Sequence, residues 1–218
     1  MYMSRVALDM SSRKTMQALT SPHVFHGAVE SGFTGERQRH LWRIDTLEEK
    51  CYLLLVSKEK PELKQIARQF GFPDRADTCQ SKDYTPFLNR LAAGQRWQFR
   101  LQANPTHSST KDAREGAPRG RLYAHVTQEQ QKQWLITRQE SHGFELMLEE
   151  FDVVHTQWLR FSKGAGQSLT LRSAAFEGIL TVRDAGKLME ALTEGIGRAK
   201  AYGCGLLTLA GKSGAVHG

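Results

Sequence analysis

Two histidines near the start of the chain have the residue type and spacing for acid–base chemistry. His23 and His26 follow a Ser-Pro pair at 21–22, which predicts the N-cap and first residue of a helix over 22–33. Near such a helix start, the dipole lowers the pKa of an imidazole and free N–H groups attract a phosphate. Histidine also titrates nearest neutrality, so His26, with His23 beside it, suits proton transfer in phosphodiester cleavage.

Two other interpretations of these side chains stay open. The histidines also fit ordinary surface residues, and with Glu30 they have helical spacing for three ligands of one metal ion. Glu30 lies a full turn beyond His26, and the acidic cluster at 149–152 is typical of a solvated strand end rather than a magnesium site. We therefore predict no metal site and no cofactor.

A glycine-rich segment near the other end of the chain predicts contact with an anion. Its glycines and cations are Gly195, Gly197, Arg198, Lys200, Gly203 and Gly205. Glycine permits positive φ and lets a ligand approach main-chain N–H groups. Lysine stands where a dinucleotide fingerprint needs its third glycine, no G-x-x-x-x-G-K-[ST] occurs, and the segment runs from a predicted helix into a strand. These differences exclude both small-nucleotide motifs and leave the backbone of a polymer as the predicted anion.

The charge balance also favours a polyanionic partner. Lys and Arg number 30 against 23 Asp and Glu, which gives a net charge of +7. Basic residues, Arg43 and Arg96 among them, recur beside Trp42, Trp97 and Trp158, and phosphate contacts are usually spread over many cations. The predicted RNA-binding residues are Arg37, Arg39, Arg100, Lys111, Arg114, Arg119, Arg121, Arg160, Lys163, Arg172, Arg198 and Lys200.

The cysteines and the apolar segments predict a cytoplasmic protein. Cys51, Cys79 and Cys204 are odd in number and form no C-x-x-C pair, so neither a disulfide framework nor a structural zinc site is indicated. The first residues lack the apolar run of a signal peptide, and no segment approaches the ~18 apolar residues of a membrane span. No membrane partner is therefore expected.

The elements that must position these residues follow an α+β pattern. Apolar alternation and periodicity in the first half predict strands at 1–8, 41–45, 52–56 and 95–102, and helices at 22–33 and 61–70. The order is β-α-β-β-α-β, which is the ferredoxin-like unit. The region 71–85 is predicted to be irregular.

The second half predicts a similar unit. Helices are expected at 128–138 and 184–194, and strands at 144–148, 153–161, 169–182 and 206–210. The predicted organisation is a ferredoxin-like domain over 1–103 with the catalytic histidine, a basic linker over 104–120, and a second ferredoxin-like domain over 121–218 with the glycine-rich loop.

With His26 on a capped helix, paired ferredoxin-like units and a glycine-rich loop before the last strand, the chain resembles the CasE family. These proteins are the CRISPR RNA-processing endoribonucleases of type I-E systems. The resemblance covers nearly the whole chain. Its most specific parts are Phe-Arg-Leu-Gln-Ala-Asn-Pro105, Phe-Glu-Gly-Ile-Leu180 and Gly-Ile-Gly-Arg-Ala-Lys-Ala-Tyr-Gly-Cys-Gly-Leu-Leu207.

The resemblance implies an RNA substrate, a reaction and partners. Members of the family cleave the repeat hairpin of precursor CRISPR RNA without a metal and keep the mature CRISPR RNA as subunits of the Cascade complex. His26 matches the catalytic histidine, and the turn around Arg160 and Lys163 falls where the family holds its hairpin. We predict attack by the RNA 2′-OH, which gives 2′,3′-cyclic phosphate and 5′-OH ends, and a monomer outside the complex.

The chain departs from the family pattern at four positions. His23 replaces a frequent tyrosine, Ser31 a basic residue, Arg198 a proline and His107 a lysine. The roles left open for His26 are general acid and general base, and His23 is predicted to take the other role or to stabilise charge. The alternative function is a noncatalytic subunit that binds an RNA hairpin with the same fold and charge.

Overall fold

A computed structural model describes residues 1–35, 38–109, 121–162 and 168–211. The elements of the first part are β1 (Tyr2–Ala7), α1 (Arg13–Leu19), α2 (Pro22–Glu30), β2 (Leu41–Leu47), β3 (Lys50–Ser57), α3 (Lys64–Phe70), β4 (Cys79–Asp83) and α4 (Thr85–Leu88). Those of the second part are β5 (Arg96–Ala103), β6 (Thr106–Ser109), β7 (Arg121–Ala124), α5 (Gln128–Ile136), β8 (Phe144–Glu145), β9 (Phe151–Ser162), β10 (Ser168–Val182), α6 (Ala185–Glu194) and β11 (Leu207–Ala210).

The two main sheets share one topology. The first has the order β2-β3-β1-β4, and the second has the order β11-β5-β10-β8, with β9 also paired to β10. In the first sheet β1 lies between β3 and β4, and in the second sheet β5 lies between β10 and β11. When the strands are numbered within each β-α-β-β-α-β unit, the first strand thus lies between the third and the fourth in both sheets. The predicted tandem ferredoxin-like fold is therefore confirmed.

The strands are distributed differently from the prediction. The strand predicted at 95–102 pairs with β10 and β11 of the second sheet, so its assignment to the first unit is wrong. The fourth strand of the first sheet is instead β4, which lies in the region predicted to be irregular and pairs with β1. Alternation of large apolar residues, the signal used for strands, is weak in its sequence Cys-Gln-Ser-Lys-Asp. This pairing favours a boundary between residues 83 and 96.

The predicted linker and two helix predictions also need correction. Within 104–120, Thr106–Ser109 forms β6 and pairs with β7, while 110–120 lies outside the described residues. The prediction missed the short helix α1, and α2 ends at Glu30 rather than at residue 33. The strand predicted at 144–148 is only the two-residue β8.

Both faces of β2 are covered, which places the helix and the second sheet on opposite sides of it. Leu41, Trp42 and Arg43 are consecutive and all at most 2% exposed. Trp42 lies 6.0 Å from the ring of Phe25 on α2, whereas Arg43 donates to the carbonyl oxygens of Arg100 and Leu206 in the second unit. Sheet packing on one face and helix packing on the other thus fix where α2 lies. In the described part of the chain, every helix is too short or too polar to cross a bilayer.

Candidate active site

The predicted catalytic histidine lies on α2 with part of its ring open to solvent. The buried apolar stripe of this helix includes Phe25, Ala28 and Val29. His26 lies on a neighbouring stripe, its side chain is 27% exposed, and its Nδ1 is 3.9 Å from Oε1 of Glu30. Glu30 thus places a carboxylate beside the ring of His26. The pair thus provides a group that can hold and release a proton.

The dipole of α2 affects His26 less than the sequence predicts. His26 is the fifth of nine residues in α2, and the effect of the helix dipole falls off within the first turn. Ser21 is the N-cap, but its side chain makes no capping hydrogen bond. Ser31 donates from Oγ to the carbonyl oxygen of Ala28 and so closes the end of the helix.

His23 packs against aromatic residues from distant parts of the chain. Its ring stacks on Phe161 with centroids 6.0 Å apart, and Phe161 contacts the ring of Tyr202 at 5.0 Å. The Nδ1 atom of His23 is buried and has no hydrogen-bond partner among the described residues. The cluster joins α2 to β9 and to the 3₁₀ turn Lys200–Tyr202, which the sequence could not bring together without the fold.

His40 is a neighbouring titratable group that sequence analysis missed. It is 8% exposed and stacks on Phe33 with ring centroids 3.6 Å apart and nearly parallel planes. Burial lowers the pKa of His40, and the charge of His26 lowers it further, while Glu30 and Glu59 act in the opposite direction. No spacing pattern signals this residue, because it lies in the loop after α2.

The glycine-rich loop contacts the protein interior closely. Gly195, Gly197, Gly203 and Gly205 all have positive φ, as the prediction of backbone freedom requires. A Cβ at Gly203 would lie 2.9 Å from the Trp42 ring, and one at Gly197 would lie 3.0 Å from the Trp134 ring. The loop therefore fits against two buried tryptophans. The described contacts give its glycines a packing role, and the anion contact stays a prediction.

The two cations of the glycine-rich loop differ in their surroundings. Arg198 is exposed, whereas Nζ of Lys200 donates to the carbonyl oxygen of Glu194 at the end of α6, at 2.5 Å. Burial lowers the pKa of Lys200, as does the charge of the exposed Arg39, against the opposing effect of Glu194. The loop before β2 and the glycine-rich loop thus bring Arg39 and Lys200 close enough to interact.

Arg43, from the predicted basic cluster around Trp42, serves a structural role. It is 1% exposed, and all five of its N–H groups donate: two to Asp45, one to Thr208, and one each to the carbonyl oxygens of Arg100 and Leu206. Its proposed place on an RNA-binding surface is therefore wrong.

Arg100 extends this network between the two sheets. Its Nε lies 3.0 Å from Oδ1 of Asp45, and its Nη1 pairs with Glu177. These groups line a cavity of about 960 Å³ between the sheets, to which no residue of α2 contributes. The prediction that Arg100 binds RNA remains untested.

Other predicted RNA contacts lie on exposed parts of the second unit. Arg172 is 5.3 Å from the Trp158 ring and donates to Oγ1 of Thr156, while Arg121 is 5.5 Å from the Tyr123 ring. Arg160 is exposed on β9. Arg37, Lys111, Arg114, Arg119 and Lys163 lie outside the described residues.

Comparison with known proteins gives this site a family. A family model described as CRISPR associated protein matches residues 1–211. The Cascade subunit CasE of Escherichia coli K12 is 30% identical over 166 residues, which cover 74% of this chain and 75% of that protein. The chain belongs to the CasE family. The match of the family model extends from β1 through β11, and so includes both α2 and the glycine-rich loop.

A second relative and its solved structure extend the family assignment. The CRISPR-associated endoribonuclease Cse3 of Thermus thermophilus is 28% identical over 227 aligned positions, covering 96% of this chain and 100% of that protein. The structure of Thermus thermophilus Cse3 bound to an RNA representing a pre-cleavage complex has a TM-score of 0.77 and 25% identity, over 96% of this chain and 98% of that one. The similarity thus covers both ferredoxin-like units together.

The metal interpretation of the site finds no matching geometry. Across residues 1–35, 38–109, 121–162 and 168–211, no three His, Cys, Asp or Glu side chains are grouped as metal ligands would be. His23 is directed to Phe161 and His26 to Glu30.

Proposed function

We propose that the protein is an endoribonuclease that cuts the repeat hairpin of precursor CRISPR RNA and retains the product as a subunit of Cascade. The observation that carries this proposal is the match over 96% of the chain to Cse3 bound to a pre-cleavage RNA. A partly exposed His26 on α2 supplies a proton-transfer group, and the net charge of +7 suits a polyanion. Free cysteines at positions 51, 79 and 204 suit a reducing cytoplasm.

The reaction we propose uses the RNA as its own nucleophile. The 2′-OH attacks the adjacent phosphorus as it loses its proton, and the bond from phosphorus to the 5′ oxygen breaks as that oxygen gains a proton. The products are a 2′,3′-cyclic phosphate and a 5′-OH. Because Nδ1 of His26 is directed toward Glu30, we assign one of these proton transfers to Nε2, with the carboxylate stabilising the imidazolium.

We assign His23 a supporting role. Its ring is stacked on Phe161 and its Nδ1 is buried, which suits a group that fixes α2 against β9 better than one that exchanges protons with solvent. Arg39, Arg160, Arg172 and Arg198 are proposed as phosphate contacts, since each is partly or fully exposed.

A single-turnover assay on end-labelled repeat RNA tests the proposal. We expect cleavage in excess EDTA, a cyclic phosphate end, and no cleavage when the nucleotide before the scissile phosphate is 2′-deoxy. Single turnover is needed because an enzyme that retains its product looks inactive under multiple turnover. RNA binding without any cleavage would instead support the noncatalytic subunit, and loss of cleavage in EDTA would revive a metal-dependent reaction.

A further inference from the structure

A second cavity lies in the second unit, between the β6–β7 ribbon and α5. Its volume is about 670 Å³, within the range of pockets that bind small ligands. Its lining includes His107, His125, Gln133, Trp134 and Arg138. The residues of α2 are not among those that line it, so this cavity is separate from the His26 site.

Arg138 gives the cavity a cation held in a fixed orientation. Its guanidinium lies 4.1 Å from the centre of the Trp134 ring, and Nη1 donates to the carbonyl oxygen of Trp134 and to Oγ1 of Thr137. The described residues accept no hydrogen bond from its Nη2 or Nε. A guanidinium stacked on an aromatic ring, with donors remaining, is well suited to a phosphate.

Two histidines also line the cavity. The rings of His107 and His125 are 4.8 Å apart, and Nδ1 of His125 is buried without a hydrogen-bond partner in the described part of the chain. Burial lowers the pKa of His125, and the nearby His107 and Arg138 lower it further. The only carboxylate in the described lining is that of Glu129. The cavity therefore combines hydrogen-bond donors and flat rings, with the charge of Glu129 balanced by that of Arg138.

The glycine-rich loop links this cavity to the candidate active site. Trp134 forms part of the cavity wall, and Gly197 packs so closely on its ring that a Cβ would be 3.0 Å away. At the other end of the loop, Tyr202 belongs to the aromatic cluster with His23. A chain of packed residues thus runs from α2 to the cavity.

We propose that this cavity is a second RNA-binding site that holds one unpaired nucleotide, with its phosphate on Arg138 and its base against the histidine rings. The inference rests on the proposed function, because the ligand is part of the same RNA. Stacking rings and a phosphate-binding cation are the groups that bind single-stranded nucleic acid. The site increases affinity and takes no part in the chemical step.

The test compares Arg138→Gln with the matched variant Arg75→Gln. Arg75 also stacks on an aromatic ring, that of Phe72 at 4.8 Å, but lies in the first unit and pairs with Asp77. The probe is repeat RNA made uncleavable by a 2′-deoxy nucleotide, with binding followed by fluorescence anisotropy across a salt series. Arg138→Gln should weaken binding by about tenfold and reduce the slope of log affinity against log salt by about 0.7–1. Arg75→Gln should change neither.

Cleavage and folding measurements separate the possible outcomes. At saturating RNA, Arg138→Gln should cut at the unmodified rate in single turnover. If Arg138→Gln binds the RNA as tightly as Arg75→Gln does, the proposed nucleotide site is wrong. If Arg138→Gln fails only to assemble with other Cascade subunits, the cavity binds a protein instead. If the unmodified protein neither binds nor cuts the repeat, the proposed function itself fails.

A second variant covers the case in which Arg138→Gln does not fold, as judged by circular dichroism. His107 is exposed, so His107→Leu should fold normally. The affinity of His107→Leu for the uncleavable RNA should be several-fold lower than that of Arg75→Gln. Unchanged affinity in His107→Leu would overturn the nucleotide site independently.

Discussion

α2 and α5 hold the same place in their units, between the first and second strands of each sheet, yet they begin differently. α5 starts with a capping box, in which Thr127 Oγ1 accepts from the N–H of Gln130 and Gln130 Oε1 accepts from the N–H of Thr127. α2 starts at Ser21 with no side-chain capping bond and has Pro22 as its first residue. One helix is stabilised locally, and the other depends on what packs around it.

The side chains of the two helices also differ. α2 carries two partly exposed histidines at 23 and 26, whereas α5 has no histidine and buries Gln131, Trp134 and Leu135. Shared topology therefore determines where a helix lies, while the residues on it and around it determine what chemistry it supports. In this protein the less capped helix bears the candidate catalytic group.

The largest expected effect comes from removing the imidazole that distinguishes α2. His26→Ala should lower the single-turnover cleavage rate by about 10²–10⁴ and leave RNA affinity nearly unchanged, because the ring moves protons rather than anchoring the backbone. The control is Val24→Ala, an exposed position on the same helix. Equal losses of rate and affinity in His26→Ala would show a binding role, and would place the catalytic group elsewhere.

The next effect tests whether packing on the glycine-rich loop positions α2. Gly203 has φ +77°, and a Cβ there would be 2.9 Å from Trp42, whose ring contacts Phe25 of α2. Gly94 has φ +84° with nothing within 4 Å of its Cβ position. Gly94→Ala should cost about 1–2 kcal/mol from backbone strain alone, and Gly203→Ala about 1–3 kcal/mol more from overpacking.

Urea unfolding gives the stability of these two variants, and the cleavage assay gives the rate. Gly203→Ala should also slow cleavage, since Trp42 lies between the loop and α2. A matched loss of stability in both variants would mean that the loop does not support the helix, and the contrast between α2 and α5 would then be one of capping alone.

The sequence predicted the local elements of this contrast better than their assembly. Ser21-Pro22 marks the start of α2, as predicted, and the helix predicted over 184–194 also forms, with Asp184 accepting from the N–H of Lys187 at its start. The strand at 96–103 was also predicted, but which sheet it joins depends on pairing with residues more than 70 positions away. Local periodicity predicts a strand but does not indicate which distant strands it pairs with.

The candidate site shows the same limit. His26 could be singled out from its residue type and its helix, but Glu30 faces it only because the helix forms. Phe161, Tyr202 and His40 join the site through tertiary packing. Arg43 was misassigned because its sequence context, beside Trp42, looks the same whether the side chain is buried or exposed.

A smaller effect tests the difference in capping directly. Thr127→Ala removes the hydroxyl oxygen that accepts from the N–H of Gln130 in the capping box of α5. The substitution should lower the free energy of unfolding by about 0.5–2 kcal/mol. Ser21→Ala removes a side chain that makes no capping bond, and should stay within about 0.5 kcal/mol. Urea unfolding of the two variants measures the difference, and an equal cost for both would contradict the contrast between the helix starts.

The smallest expected effect is a pH dependence of stability beside α2. Burial holds the pKa of His40 below its usual 6.5, so the unfolded chain binds a proton more readily than the folded one. Stability from this residue is therefore present above pH ~6.5 and is lost as pH falls toward the lowered pKa. His40→Gln removes the titrating group and should flatten this part of the profile between pH 7.5 and 5, as measured by urea unfolding.

His125, which precedes α5, gives the matched comparison. Burial lowers its pKa as well, but it is half-buried whereas His40 is 8% exposed. His125→Gln should therefore flatten the profile less than His40→Gln does. If the two variants flatten it equally, the region around α2 is no more sensitive to protonation than the region around α5, and the dependence of α2 on its buried surroundings is weaker than its packing indicates.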